Sequence, residues 1–166
     1  MPPITALLHT MDDALRLGRT LETLRPFDEI LIVDHGSHDD TRRIAHEYGA
    51  RILALQHGDS QRGASPGQYF PFARHDWLFC LESRESLSDG LEASLFEWKS
   101  LHSAEAENAV AFSVFLREET ADGWLEHATP QTRLVPRNWT RWQDWLPAHE
   151  PSAIALEGEL LRFILP

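Results

Sequence analysis

Two segments of the chain place an acid three residues after a hydroxyl: Thr10-Met11-Asp12-Asp13 and Ser37-His38-Asp39-Asp40. This is the spacing of a capping box, in which hydroxyl and carboxylate satisfy the free amides that open a helix. Asp34 differs from these acids. It ends the apolar run Ile30-Leu31-Ile32-Val33 and stands two residues before Gly36. Open parallel sheets bind ligands beyond the carboxyl ends of their strands, so a carboxylate there can accept from a base or a ribose, or else cap the adjoining turn. Trp139, Trp142 and Trp145 recur every third residue. Flat aromatic faces suit sugar rings, although core packing is the simpler use of three indoles. His35 and His38 have no cysteine or third histidine beside them in the loop, so they read as loop residues rather than a metal pair.

The elements that must position these residues follow from periodicity. Ile4 to Leu8, Ile30 to Val33, Arg51 to Leu55 and Trp77 to Leu81 read as strands. Between the first two, Leu17, Leu21 and Leu24 recur at helical spacing until Pro26. Between the next two, Thr41, Ile44, Ala45 and Tyr48 mark a helix that Gly49 ends in a left-handed conformation. This alternation predicts βαβ units and a largely parallel sheet. Gln56 to Gly67 reads as a long polar loop at the rim of the sheet. Leu87, Leu91, Leu95 and Trp98 give a further helix its buried stripe, with Ser88 as its cap. Val110 to Leu116 and Trp124 to Val135 are expected strands, joined by a polar turn over Glu118 to Gly123. Beyond Pro136 the period is unclear.

Composition narrows the class. A chain of 166 residues, 42% hydrophobic, has the size of one domain with a sizeable core. The only cysteine, Cys80, lies in the apolar run Trp77 to Leu81, which argues against a disulfide scaffold. No basic leader and no membrane-length apolar run is present, so a cytoplasmic location is the expectation. With 15 basic residues against 26 acidic ones, the formal charge of -11 repels phosphate backbones and disfavours nucleic acid as a partner. Lys99 is the only lysine and falls within a predicted helix, so chemistry needing a pocket lysine is disfavoured.

An ordered series of segments resembles the family 2 glycosyltransferases of GT-A type, especially the bacterial members that build lipopolysaccharide cores. Asp12-Asp13 followed by Leu21-Glu22-Thr23-Leu24 is similar to their first strand-to-helix segment. Ile32-Val33-Asp34-His35-Gly36-Ser37-His38-Asp39-Asp40-Thr41 is close to their VDSGSTDDT motif, and Glu47-Tyr48-Gly49-Ala50 continues it. Gly63 to Phe72 and His75-Asp76-Trp77-Leu78-Phe79 resemble the approach to their metal motif. The resemblance implies an α/β fold of GT-A type with a mostly parallel sheet flanked by helices and a shortened C-terminal part. It implies one glycosyltransferase-like domain over 1–166, with a nucleotide-binding half at 1–90 and an acceptor-side half at 91–166. The implied donor is a nucleotide-sugar, a UDP-sugar in particular, and the implied acceptor is a glycan or a lipid-linked glycan.

In that family the residue matching Asp34 contacts uracil, and positions matching Thr10, Met11, Asp12 and Asp13 line the same base pocket, next to Gly36. The metal motif departs from the pattern. Where the family has Asp-x-Asp holding Mg²⁺ or Mn²⁺, this chain has Glu82-Ser83-Arg84-Glu85. Glu82 and Glu85 remain as implied metal ligands, while Arg84 either neutralises the diphosphate in place of a cation or pairs with a neighbouring glutamate. Gln68, before Tyr69, stands where the family often has a basic residue, so that nucleotide-side position carries no charge. Further on, Thr132-Arg133-Leu134-Val135-Pro136-Arg137, Arg141-Trp142 and His149-Glu150 resemble the RLFRR…RW-G-VHE segment, with Asp144 where Gly is usual. An inverting transfer needs a carboxylate base, and Glu150 and Asp144 are the candidates. The departures also leave open a binding or scaffold module that keeps the fold without catalysis.

Overall fold

The computed structural model describes residues 2–55, 69, 71–100 and 108–166. Four strands, β1 (Ile4–Thr10), β2 (Glu29–Asp34), β3 (Arg51–Ala54) and β4 (Trp77–Glu82), lie parallel in the order β3-β2-β1-β4. Helix α1 (Ala14–Glu22) connects β1 to β2, and α2 (Thr41–Glu47) connects β2 to β3. Gly49, with φ of 76°, ends the second connection in the left-handed region, where a residue without Cβ is unstrained. Both faces of these strands are covered, which is why their sequences read as apolar runs rather than alternating ones. Ile4, Ala6 and Leu8 pack with Leu17 and Leu21 of α1, while Leu7, Leu31, Val33 and Cys80 pack with Tyr69 and Trp139 on the other face. Burial pushes the Cys80 thiol up to about 12, as befits a small apolar core residue.

The rest of the chain extends the same sheet. It comprises β5 (Glu85–Leu87), α3 (Asp89–Ser100), β6 (Phe112–Thr120), β7 (Gly123–Glu126), β8 (Gln131–Pro136), a small hairpin of β9 (Trp142–Gln143) and β10 (Leu146–Pro147), and β11 (Ile154–Arg162). Among the described residues the sheet has nine strands and runs β3-β2-β1-β4-β8-β6-β11-β5, with β7 also on β6. Strand β8 pairs antiparallel with both β4 and β6, and β11 runs parallel to β6. The parallel half is thus as the alternation predicts, and the sheet becomes mixed beyond β4.

Three expectations are corrected here. Leu87 belongs to β5, not to the helix after it, because its amide donates to Thr23 Oγ1 and Leu87 pairs with Leu160. Ser88 does cap α3, accepting from the Leu91 amide at 3.2 Å. The segment Trp124 to Val135 is two strands, and β6 runs on to Thr120, so the turn before β7 is tighter than the polar stretch suggests. The unclear period beyond Pro136 conceals β11, whose register shifts between Ala155 and Glu159 around Gly158. The lysine is structural: Lys99 Nζ donates to Pro26 O and Asp28 Oδ1, both at 2.9 Å.

Candidate functional site

The loops that leave β1 and β2 are stapled to each other in place of two capping boxes, although Asp39 does cap its own helix, its Oδ1 accepting from the Thr41 amide at 2.9 Å. Neither Asp13 nor Asp40 makes a side-chain cap bond to its own helix. Instead the Asp12 amide donates to Ser37 Oγ at 2.9 Å, and the Asp13 amide to Thr41 Oγ1 at 2.8 Å. In return the His38 amide donates to Asp12 Oδ1 and the Ala14 amide to Asp39 Oδ2. Each loop therefore satisfies amides of the other, and the pair behaves as one preorganised rim at the carboxyl edge of the sheet.

Asp34 lies beneath that rim. It is fully buried, accepting from Thr10 Oγ1 at 2.8 Å, from Ser37 Oγ at 2.5 Å and from the Ser37 amide at 3.0 Å. Burial alone would raise its carboxyl, but the hydroxyl and amide of Ser37, then Thr10 and the Gly36 amide, hold it below the usual carboxylate range. Its oxygens are occupied by the protein, so Asp34 shapes the rim and has no face open to a ligand. Thr10 is buried with it, whereas Met11, Asp12 and Asp13 lie nearer the surface. Gly36, with φ of 92°, makes the turn that lets the Ser37 amide fold back onto Asp34.

Sequence reasoning missed His9. It is the last residue of β1 facing the second core layer, and its Nδ1 lies 2.9 Å from His35 Nε2. Trp145 stacks over His9 with ring centroids 4.2 Å apart, and Tyr69 meets it edge-on at 5.5 Å. Burial, and then the charge His35 would carry, pushes the His9 imidazole down to about 3, so it stays neutral at physiological pH. The only hint in the sequence is an imidazole one residue before the strand ends.

A cavity of about 740 Å³ opens beside this aromatic cluster, at the carboxyl ends of β1 and β4. Glu82 and Arg84, from the end of β4 and the turn after it, line it together with Arg16 of α1. The β9–β10 hairpin supplies Asp144 and Trp145 to the same lining. Asp144 has a φ of 53°, which explains why a glycine would be at home there: the turn requires the left-handed region, and aspartate tolerates it. Glu150 does not reach the cavity. Its carboxylate is held by Arg141 and by the amide and hydroxyl of Ser152, which together keep it below the usual glutamate range. Trp139 is buried in the core, and Trp142 and Trp145 pack against it, in keeping with core packing. Gln68 lies outside the described residues.

The two implied metal ligands are already paired with guanidinium groups. Glu82 Oε2 accepts from Arg84 Nε at 2.8 Å and has Arg162 Nε at 3.7 Å. Glu85 is fully buried, gripped by Arg133 at 2.7 and 3.0 Å, with Arg162 at 3.0 Å and the Glu82 amide at 2.7 Å. Glu85 as a metal ligand is therefore corrected: its oxygens face two guanidiniums inside the protein. Among the described residues no three histidine, cysteine or acidic side chains gather to hold a metal ion. Among the described residues, Glu82 and Glu85 as they are paired do not fit a divalent cation.

No family model matches the chain. Among solved structures, the 1–349 portion of Staphylococcus aureus TarS superposes with a TM-score of 0.52 at 15% identity, over 78% of this chain and 38% of that one. Glucosyl-3-phosphoglycerate synthase of Mycobacterium tuberculosis, in complex with Mn²⁺, UDP and phosphoglyceric acid, gives 0.51 at 16% identity, over 73% and 45%. The chain has the GT-A glycosyltransferase fold. TarS in complex with UDP-GlcNAc matches this GT-A chain equally, at 0.51. In sequence, a TPR repeat-containing protein of Synechococcus elongatus is 34% identical over 164 residues, 96% of this chain and 38% of that protein. An uncharacterized glycosyltransferase of Rickettsia felis is 28% identical over 96 residues, 55% of this chain and 32% of that one. The chain thus spans about a third of the length of these curated relatives. No helix among the described residues is long and apolar enough to cross a membrane.

Trp145 gives a first test of the site's construction. Half-buried, it forms both a cavity wall and the lid over His9, so Trp145→Ala is expected to cost about 2 kcal/mol, roughly half the price of truncating a buried aromatic. Urea denaturation monitored by far-UV circular dichroism measures it, and an unchanged midpoint would show that the stack contributes nothing to the fold.

Proposed function

We propose that this chain binds a UDP-sugar at the carboxyl edge of β1, β2 and β4 and transfers the sugar to a glycan or lipid-linked acceptor. The observation that carries the reading is the cavity where Arg16, Arg84 and Asp144 converge beside the stapled loops. Its size suits a small-molecule site, and a site at the strand ends is where open α/β sheets take their ligands. In this reading the uracil rests on the rim formed by Thr10 to Asp13 and by Gly36, with Asp34 holding that rim from below. The diphosphate lies toward Arg84 and the sugar occupies the cavity beneath Trp145. The likeness to TarS with UDP-GlcNAc and to the synthase with UDP supports the donor class.

The transfer we propose is a single inverting displacement. The acceptor hydroxyl attacks the anomeric carbon, the bond from that carbon to the diphosphate oxygen breaks, and UDP leaves with the electron pair. Asp144 takes the hydroxyl proton, a role open to it because Asp144 lines the cavity and the Glu150 carboxylate is engaged by Arg141 and Ser152. Synthesis of cell-surface glycans such as lipopolysaccharide, in the cytoplasm, is the setting we propose.

Two measurements test the reading. UDP at a hundredfold excess over its dissociation constant should stabilise the protein by about 2.7 kcal/mol, seen as a raised melting temperature. The absence of both heat in calorimetry and a thermal shift with millimolar UDP would remove the donor assignment. Asp144→Asn keeps a residue that tolerates the left-handed turn, so it should fold normally and bind UDP as before, yet lose about 100-fold in turnover of the UDP-sugar. Full turnover in that variant would take the base role from Asp144.

A further inference from the structure

We infer that the cavity binds a diphosphate through guanidinium groups, Arg84 and Arg16, with no divalent cation between protein and phosphate. The inference deepens the nucleotide-sugar reading and rests on it for the nucleotide, but not for the phosphate chemistry. Three observations carry it. First, both acids near the expected cation position are neutralised from within: Glu82 by Arg84 and Arg162, Glu85 by Arg133 and Arg162. A hard divalent cation needs several free oxygen ligands, and these carboxylates do not offer them. Second, Arg84 engages Glu82 through Nε alone, and among the described residues its two Nη groups make no hydrogen bond. A guanidinium anchored at Nε and open at Nη is oriented as a fork for phosphate oxygens, and it keeps its charge at any physiological pH.

Third, Arg16 lines the same cavity from a different element. It follows Leu15 near the start of α1, has Asp13 Oδ1 at 3.6 Å, and makes no guanidinium hydrogen bond among the described residues. Two cations reaching one cavity from α1 and from the β4–β5 turn can bracket the two phosphates of a diphosphate. In a chain of formal charge -11, such a local pair is what an anionic ligand requires. The remaining guanidinium at the wall, Arg133, is committed to Glu85 and serves to hold the turn that presents Arg84.

The test uses inorganic pyrophosphate, UDP and uridine, each titrated by calorimetry with Mn²⁺ and with EDTA. Pyrophosphate and UDP are expected to bind equally well in both conditions. Arg84→Ala and Arg16→Ala should each weaken pyrophosphate and UDP about tenfold, the scale of one charge-assisted contact at a partly exposed site, while leaving uridine unchanged. Arg84→Lys, which keeps the charge and loses the fork, should recover part of that affinity. Both arginines are partly exposed, so the variants should melt like the wild type, which a thermal scan checks. Pyrophosphate or UDP binding that vanishes in EDTA overturns the inference and leaves the donor reading intact. Pyrophosphate binding without any response to UDP or uridine does the reverse. Unchanged pyrophosphate affinity in both alanine variants also overturns the inference, since it places the phosphate elsewhere.

Discussion

Glu85→Ala should lower the stability of the protein by about 3 to 5 kcal/mol, the cost of stranding a buried charge whose partner is removed. The reason is the geometry around one carboxylate. Arg133 is 1% exposed and reaches Glu85 with two Nη groups, and Arg162 adds two further hydrogen bonds from β11. Remove the acid and two guanidiniums face each other, Arg133 almost wholly buried and Arg162 mostly so. Replacing the whole cluster with apolar residues would be far milder, because the penalty lies in the unpaired charge, not in the loss of the pair as such.

The same carboxylate predicts how stability depends on pH. Burial would raise the Glu85 carboxyl, but the charge and hydrogen bonds of Arg133, with Arg162 and the Glu82 amide, hold it below the usual glutamate range. A folded value below the unfolded one means that the unfolded chain takes up the proton first as pH falls. The stabilisation is therefore complete above the ordinary glutamate range and is lost as pH drops through the depressed folded value. Chemical denaturation at neutral pH and at a series of acidic pH values should show the gap between wild type and Glu85→Gln narrowing only on the acid side. A gap that is small at neutral pH would mean that the Arg133 pair is not what holds the β4–β5 turn.

The βαβ half was legible because local physics sets it. A strand buried on both faces reads as an apolar run, and the ends of α2 and α3 carry their own signals in Gly49 and Ser88. The later strands were less legible because they depend on partners distant in sequence. Arg133 sits in Thr132-Arg133-Leu134-Val135, every residue of which is buried, so no alternation marks the arginine as special. Its partner Glu85 is 48 residues away. Arg16, with a partly exposed side chain one residue before the buried Leu17, is indistinguishable in sequence from a solvated cation. Asp34 was singled out correctly as a strand-end acid, yet only the structure shows that Thr10 and Ser37 fill its coordination. Composition cannot distinguish an acid that meets a ligand from one that builds the loop the ligand rests on.

Gly158→Ala should be as damaging as the loss of Glu85, although it adds only a methyl group. Gly158 has a φ of 90° at the bulge in β11, and a Cβ built there would meet the Leu91 amide nitrogen at 2.1 Å and Gly90 C at 2.5 Å. Those atoms are backbone at the start of α3, so no side chain can turn aside. Either α3 or β11 must move, and overpacking together with the strained dihedral should cost about 4 kcal/mol or more. Gly49→Ala isolates the two contributions. Gly49 has a similar φ of 76° with nothing within 4 Å of its would-be Cβ, so that variant pays for conformation alone, about 1 kcal/mol. Urea midpoints of the two variants give the steric part by difference, and equal midpoints would contradict the close approach of α3 to β11. The consequence extends to the cavity, because the bulge sets the register in which Arg162, four residues on, meets Glu85 and Glu82. A Gly158→Ala protein that remains folded should therefore present Arg84 on a looser wall and bind pyrophosphate more weakly, whereas Gly49→Ala, remote from that register, should bind it as the wild type does.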